Sequence, residues 1–180
     1  MRTLERSRRL GQLSVYLCQD YWTSGYPTKA REFGQSAQAI AESLDDVPLQ
    51  VTGNLYLSAA LIHTGDYRRA GGLAARASCG CSATASRERF GLVGFPAVSA
   101  RFYLTWIALS RGSSRKGSAA WRKASASRRR LDHPYTLGAA RSMLAFLHMV
   151  RGELDHAIQL LERELAMPPE GSVAQHSVVN

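Results

Sequence analysis

A recurring glycine constrains the fold of this chain more than any other feature. Gly25, Gly65 and Gly152 each follow one apolar stretch of helical periodicity and precede another. Each glycine has a large residue eight positions before it, a small residue seven positions before it and an alanine five positions after it. The three sets are Leu17/Cys18/Ala30, Leu57/Ser58/Ala70 and Leu144/Ala145/Ala157. Glycine ends a helix by adopting the left-handed conformation, and small residues allow two helices to cross closely. The spacing therefore predicts antiparallel helix pairs.

A weaker fourth copy lies around Gly112, where Leu104 and Thr105 precede the glycine and Trp121 and Ala124 follow it. Val and Ile are sparse and strict alternation of apolar and polar residues is rare, which disfavours a sheet. We expect an all-α chain of at least six helices in one repeat domain, residues 1–180. The repeats lie near 11–42, 51–78, 98–127 and 138–167, and a flexible tail covers 168–180.

These small-residue positions, the Gly65-Asp66-Tyr67 turn and the trailing alanines resemble tetratricopeptide repeats. The resemblance covers roughly residues 10–167. It implies an α-solenoid of about four helix-turn-helix repeats, in which stacked pairs share one core. Proteins of this kind bind other proteins, so the resemblance implies an interaction or scaffolding module.

Two further segments, 87–96 and 132–137, resemble a narrower group. They are similar to parts of the C-terminal helical repeat region of large bacterial adenylate/guanylate cyclase-like ATPases. The chain contains no Gly-x-x-x-x-Gly-Lys-Ser/Thr phosphate loop, so the ATPase activity does not transfer. The resemblance implies a fragment of a larger signalling protein whose partner is a protein, a peptide or a neighbouring domain of the parent chain.

The resemblance also places a binding groove, because the first helices of successive repeats line the concave surface of such arrays. An apolar, aromatic groove suits a helix or an extended peptide, although the same side chains could instead form the core between repeats. The matching positions are Gln19, Trp22, Thr23, Ala59, Ile62, His63, Phe102, Trp106, Leu109, Phe146 and Met149.

Nearly all of the net charge of +9 comes from residues 111–130, which carry eight Lys and Arg and no acidic residue. Such a run can bind nucleic acid or an anionic surface, but it matches no nucleic-acid motif, and basic Ala/Ser-rich runs are more often solvated. Between Ser113 and Arg130 only Trp121 is large and apolar. A local frameshift between about Ser110 and Asp132 is a third interpretation, because a neighbouring reading frame can encode an amphipathic helix.

No pattern of residues predicts an enzyme, a cofactor or a metal site. Cys79-Gly-Cys81 lacks the second ligand pair of a zinc site, and no Ser/His/Asp or Cys/His arrangement is apparent. Three cysteines, an odd number, do not suggest a disulfide framework. No stretch is long and apolar enough for a signal peptide or a membrane span. We therefore expect a cytoplasmic protein.

The C-terminal end of the array is expected to expose apolar surface. The last helix presents Ile158, Leu160, Leu161 and Leu165, and Pro168 and Pro169 stop it. Repeat arrays need polar caps at their ends. We therefore expect this uncapped end to promote self-association.

Overall fold

The computed structural model describes residues 2–80, 88–92, 95–112 and 134–166, and every regular element in those ranges is an α-helix. The prediction of an all-α fold is confirmed for this part of the chain. The helices are α1 (Arg2–Thr23), α2 (Pro27–Ser43), α3 (Val47–His63), α4 (Tyr67–Gly80), α5 (Pro96–Ser110), α6 (Pro134–Val150) and α7 (Leu154–Leu165). None of these helices is long and apolar enough to cross a membrane.

The predicted turns lie where the glycines stand. Gly25, Gly65, Gly112 and Gly152 all have positive φ, between 70° and 82°. After α1 the Tyr26 N–H donates to the Tyr21 carbonyl at 2.8 Å, and the Gly25 N–H donates to the Trp22 carbonyl at 3.2 Å. This paired arrangement satisfies the carbonyls at the end of the helix. Equivalent bonds follow α3 and α6, so one turn geometry recurs at three helix ends.

Asp45 forms the same kind of turn between α2 and α3 without a glycine. Its φ is +49°, and the Asp46 N–H donates to the Ala41 carbonyl at 3.1 Å. Asp46 then begins α3 by accepting a hydrogen bond from the Leu49 N–H at 3.0 Å. Aspartate is one of the few non-glycine residues that tolerates the left-handed region. No glycine marks this turn, so the glycine pattern did not predict it.

The helices alternate between two positions in the molecule. α1, α3, α5 and α6, here called the first helices, contact one another in succession. The second helices are α2, α4 and α7: α2 contacts α1 and α3, α4 contacts α3 and α5, and α7 contacts α6. The sequence-predicted second helix of the third repeat, Ser113 to Arg130, and the tail 168–180 lie outside the described residues.

The core is centred on α3, which is buried along most of its length. The predicted small-residue positions are filled as expected, since Cys18 and Ser58 have no exposed surface and Ala145 is 2% exposed. The trailing alanines Ala30 and Ala70 are also fully buried. Close helix crossings explain this pattern, because only small side chains fit where two backbones approach.

Candidate partner-binding surface

Four rings, one from each first helix, form a continuous series that we call the aromatic ladder: Trp22, His63, Trp106 and Phe146. The Trp22 and His63 ring centroids are 5.7 Å apart, and those of His63 and Trp106 are 5.6 Å apart. The Trp106 and Phe146 centroids are 5.4 Å apart. These tilted and edge-on geometries are favourable for aromatic pairs. The ladder therefore links all the described first helices.

The ladder exists because the first helices lie side by side. Trp22 and His63 come from the last turns of α1 and α3, whereas Trp106 and Phe146 lie farther from the ends of α5 and α6. Phe102 supports the ladder from α5, with its ring centroid 5.8 Å from that of Trp106 and 5.4 Å from that of Tyr103. The apolar core lies beneath, since Trp22, Phe102 and Trp106 pack against its largest cluster.

The eleven sequence-predicted groove residues fall into three classes of exposure. Ala59, Ile62 and Leu109 are buried, with 1%, 4% and 8% of their surface exposed, so they contribute packing rather than accessible surface. The half-buried residues are Gln19, Trp22, Phe102, Trp106 and Phe146, and the exposed residues are Thr23, His63 and Met149. A partner could therefore reach eight of the eleven.

His63 is the only titratable member of the ladder. Although His63 as a whole is exposed, its ring is partly buried beside the neighbouring indoles, and this partial burial lowers the pKa of the imidazole below the ordinary value of 6.5, because desolvation penalises the charged form. The neutral imidazole is therefore the dominant form at neutral pH. None of the other groove residues carries a charge, so the surface offers rings, methyl groups and neutral polar groups.

A second aromatic group lies between α1 and α2 and was not predicted from the sequence. Tyr21 stacks on Phe33 with centroids 5.4 Å apart and interplanar angle 6°. The Lys29 ammonium lies 5.2 Å from the Tyr21 ring centroid and 5.8 Å from that of Tyr26. In the sequence, this group appears only as aromatic residues close to a lysine, and that pattern is too common to predict a binding site by itself. We assign this group to packing of α1 on α2.

Residues 88–92, between α4 and α5, also approach the first helices. Phe90 and Gly91 both have positive φ, at 48° and 81°. A recess of about 290 Å³ lies between this segment, α1 and the start of α3, with Tyr16 and Thr52 among its lining residues. This segment belongs to the 87–96 stretch that carries the narrower resemblance.

The predicted candidates for metal binding and for a reactive thiol can be followed in the described part of the chain. No group of three His, Cys, Asp or Glu side chains there is arranged to hold a metal ion. Burial raises the pKa of the Cys18 thiol from 9.0 to about 12, which suits a packing residue rather than a nucleophile. Cys81 and the basic residues 113–130 lie outside the described residues.

A cluster at the α6–α7 turn is explained by local structure. His148 Nδ1 lies 2.5 Å from Glu153 Oε2, and the His148 and His156 rings stack at 5.5 Å. The hydrogen bond from His148 is the largest cause that lowers the pKa of the Glu153 carboxyl; desolvation opposes it, and the neighbouring basic groups reinforce it. These contacts join residues on either side of the Gly152 turn and therefore support the turn itself.

Comparison with known proteins assigns no family. No protein-family model, no curated protein and no solved structure matches this chain.

Proposed function

We propose that this chain is a tetratricopeptide-type α-solenoid that binds a protein partner along the aromatic ladder. Paired helices, turn glycines and buried alanines at the helix crossings support the repeat type. So does the packing order, in which each second helix α2 and α4 contacts the first helices on both sides of it. Arrays of this kind present extended surfaces for partners.

The ladder itself is the observation that carries the binding proposal. Exposed His63 lies between two half-buried tryptophans, Trp22 and Trp106, in the series of rings. Tryptophan is among the residues that most often dominate binding energy. A run of rings that spans four helices without a charged member favours an apolar partner segment over a phosphate or a carboxylate.

The chemistry of the surface suits a helical partner. Amphipathic helices dock in apolar grooves through side chains at i, i+3, i+4 and i+7. Successive ring centroids of the ladder lie 5.4 to 5.7 Å apart, which is the ordinary contact distance of packed aromatic rings. The apolar character of the surface, rather than this distance, therefore supports the helical partner.

The partner could belong to another protein or to a longer parent chain. The similarity of segments 87–96 and 132–137 to cyclase-like ATPases supports the second source, in which the array contacts a neighbouring domain. Both sources share the chemistry of an apolar helix face.

Arginine substitutions at exposed groove positions test the proposal. Amphipathic helical peptides selected by display against the whole chain provide the ligands, and titration calorimetry measures their affinity. Thr23→Arg and Met149→Arg should each weaken binding roughly tenfold or more, since a charge forced against an apolar face costs over about 1.4 kcal/mol. Gln35→Arg, on an exposed position of α2, is the matched control and should have no effect.

Selected peptides that bind both groove variants as tightly as the unmodified chain would overturn the proposal. Both variants should keep the fold, because Thr23 and Met149 are exposed. Circular dichroism and thermal melting of each variant check this directly.

A further inference from the structure

We propose that copies of this chain associate head to tail, with α1 of one copy packing on α7 of the next. Within the described residues, an exposed apolar face lies on α1 and another lies on α7, at opposite ends of the helix order. This association is independent of partner binding at the aromatic ladder, because it uses α7 and a face of α1 that does not carry Trp22.

The tail face is a stripe along α7. Four large apolar side chains recur there at helical spacing. They are Leu154, Ile158, Leu161 and Leu165, with 56%, 52%, 45% and 73% of their surface exposed. Ala157, on another side of α7, is only 5% exposed, because that side packs on α6. The prediction of an exposed apolar flank is confirmed for Ile158, Leu161 and Leu165, whereas Leu160 is half-buried.

The tail face corresponds to the face of α2 on which α3 packs. Leu161 and Leu165 follow the turn glycine Gly152 by nine and thirteen residues, as Gly34 and Gln38 follow Gly25. A Cβ on Gly34 would lie 2.9 Å from Leu57 Cδ1, so α3 covers this position closely. The C-terminal half of the α7 stripe, at Leu161 and Leu165, is therefore where a following first helix would pack.

The head face lies on α1, at Leu10, Leu13 and half-buried Leu17. Leu10 and Leu13 are 55% and 52% exposed. Leu13 and Leu17 precede Gly25 by twelve and eight residues, as Gly53 and Leu57 precede Gly65. Gly53 of α3 lies against α2, since a Cβ on this glycine would lie 3.7 to 3.9 Å from atoms of Ala37 and Gln38. α1 thus presents the side of a first helix that packs on a preceding second helix.

Placing α1 on α7 as α3 packs on α2 brings these faces together. Leu13 then lies opposite Leu165, and Leu17 lies opposite Leu161. Both pairs are larger than the pairs at the α2–α3 contact, so the two helices would sit farther apart but bury more apolar surface. Burial of apolar side chains is the main source of association energy.

Charge favours a second copy as the occupant of the tail face. The first nine residues contain Arg2, Arg6, Arg8 and Arg9 against one acid, Glu5. Within the chain Arg9 pairs with Glu5 and Arg8 pairs with Asp46 at the start of α3, so the excess positive charge of the head comes mainly from Arg2 and Arg6. Residues 153–165 contain Glu153, Asp155, Glu162 and Glu164 against one base, Arg163. A basic head and an acidic tail attract each other, whereas two tails or two heads repel, so the charges select the head-to-tail contact.

Such a contact is heterologous and does not close on itself at two copies, so it produces open chains or rings. Sedimentation velocity of the unmodified chain should therefore show species that grow beyond the dimer as concentration rises. A monomer at every concentration, up to several hundred micromolar, would overturn the proposal.

Two single-end variants distinguish the geometry. Leu13→Glu blocks the head and Leu165→Glu blocks the tail, and each substituted residue is exposed in the isolated chain. Each variant alone should be monomeric, with association weakened roughly tenfold to a hundredfold, as loss of one large buried side chain implies. An equimolar mixture should form dimers and nothing larger, since one intact head and one intact tail remain per pair. Dimers of Leu13→Glu alone would show a tail-to-tail contact and contradict the proposal.

A charge-reversal pair tests the electrostatic step. Arg6→Glu combined with Arg9→Glu changes the charge of the first nine residues from +3 to −1. This variant should associate several-fold more weakly, and added salt should then strengthen the remaining association instead of weakening it. Arg68→Glu combined with Arg76→Glu makes the same change in net charge at exposed positions of α4 and should leave association unchanged. Equal effects of the two pairs would mean that net charge, rather than the head face, controls association.

Discussion

The Ser58 hydroxyl donates a hydrogen bond to the Ala70 backbone carbonyl across 2.9 Å, and both residues have no exposed surface. This bond joins α3 to α4 at the point where the two helices cross. Ser58 is small enough to permit the approach, and the bond satisfies a hydroxyl that burial would otherwise leave unpaired. The crossing is thus fixed by both shape and polarity.

Enlarging Ala70 should force the crossing apart. Ala70→Leu is expected to lower the free energy of unfolding by about 1–3 kcal/mol, because the added side chain has no space at a fully buried position. Urea melts measure the change. Ala75→Leu, at an exposed position of the same helix, is the control and should change stability by less than about 0.5 kcal/mol. Equal effects of the two substitutions would contradict this account of the crossing.

Two helical glycines should respond to alanine with opposite signs. A Cβ on Gly34 would lie 2.9 Å from Leu57 Cδ1 and 3.0 Å from Cys18 Sγ, whereas a Cβ on Gly72 would meet nothing within 4 Å. Gly34→Ala should destabilise, because overpacking costs about 1–3 kcal/mol and exceeds a helix-propensity gain of about 1 kcal/mol or less. Gly72→Ala should stabilise by about 0.4–1 kcal/mol. Thermal melts that shift in the same direction for both would refute the close approach at Gly34.

The two described cysteines should differ sharply in reactivity. Cys18 is buried and Cys79 is exposed, and burial raises the pKa of Cys18 to about 12. In a Cys81→Ser variant, a disulfide reagent should modify one thiol rapidly and the second only on unfolding. The folded state binds the Cys18 proton more tightly than the unfolded state does. The contribution of Cys18 to the free energy of unfolding is therefore fully present below pH 9 and declines as pH rises toward 12. Rapid modification of both thiols in the native protein would place Cys18 outside the core.

Acid should weaken the fold through His63. Its folded pKa is lowered by burial, so its contribution to stability is fully present above the unfolded value of about 6.5 and is lost as pH falls through the folded value. Urea melts between pH 7.5 and 5 should show this loss, and His63→Gln should reduce the dependence. Proton resonances of the imidazole, titrated by NMR, give the pKa itself. A value above 6.5 would show that the two flanking indoles stabilise the cation instead.

The glycine pattern predicted the helix pairs because turn chemistry is local. A left-handed glycine, a small residue seven positions earlier and an alanine five positions later are all set by one helix crossing. The left-handed turn at Asp45 was not predicted, because aspartate is also common in helices, caps and loops and does not by itself indicate a positive φ. The start of α1 at Arg2, well before residue 11, also carries no apolar signal in the sequence.

The candidate surface was only partly predictable. The resemblance to tetratricopeptide repeats placed Trp22, His63, Trp106 and Phe146 in the predicted groove, but their contacts depend on how neighbouring helices align. The same resemblance also selected Ile62 and Leu109, which the structure buries. Adjacent positions on one helix differ in burial only once the neighbouring helices are in place, so the sequence of a single helix does not separate groove from core.

The most direct test of the ladder as a binding surface follows the two indole N–H groups of Trp22 and Trp106 by NMR, in a Trp121→Phe variant that leaves only these tryptophans. Titration with a selected amphipathic helical peptide should shift both indole resonances, with saturation at one peptide per chain. The same titration should leave backbone amides on the exposed side of α2 unchanged. A peptide that binds tightly, moves neither indole resonance and instead perturbs α2 or α4 would contradict the account.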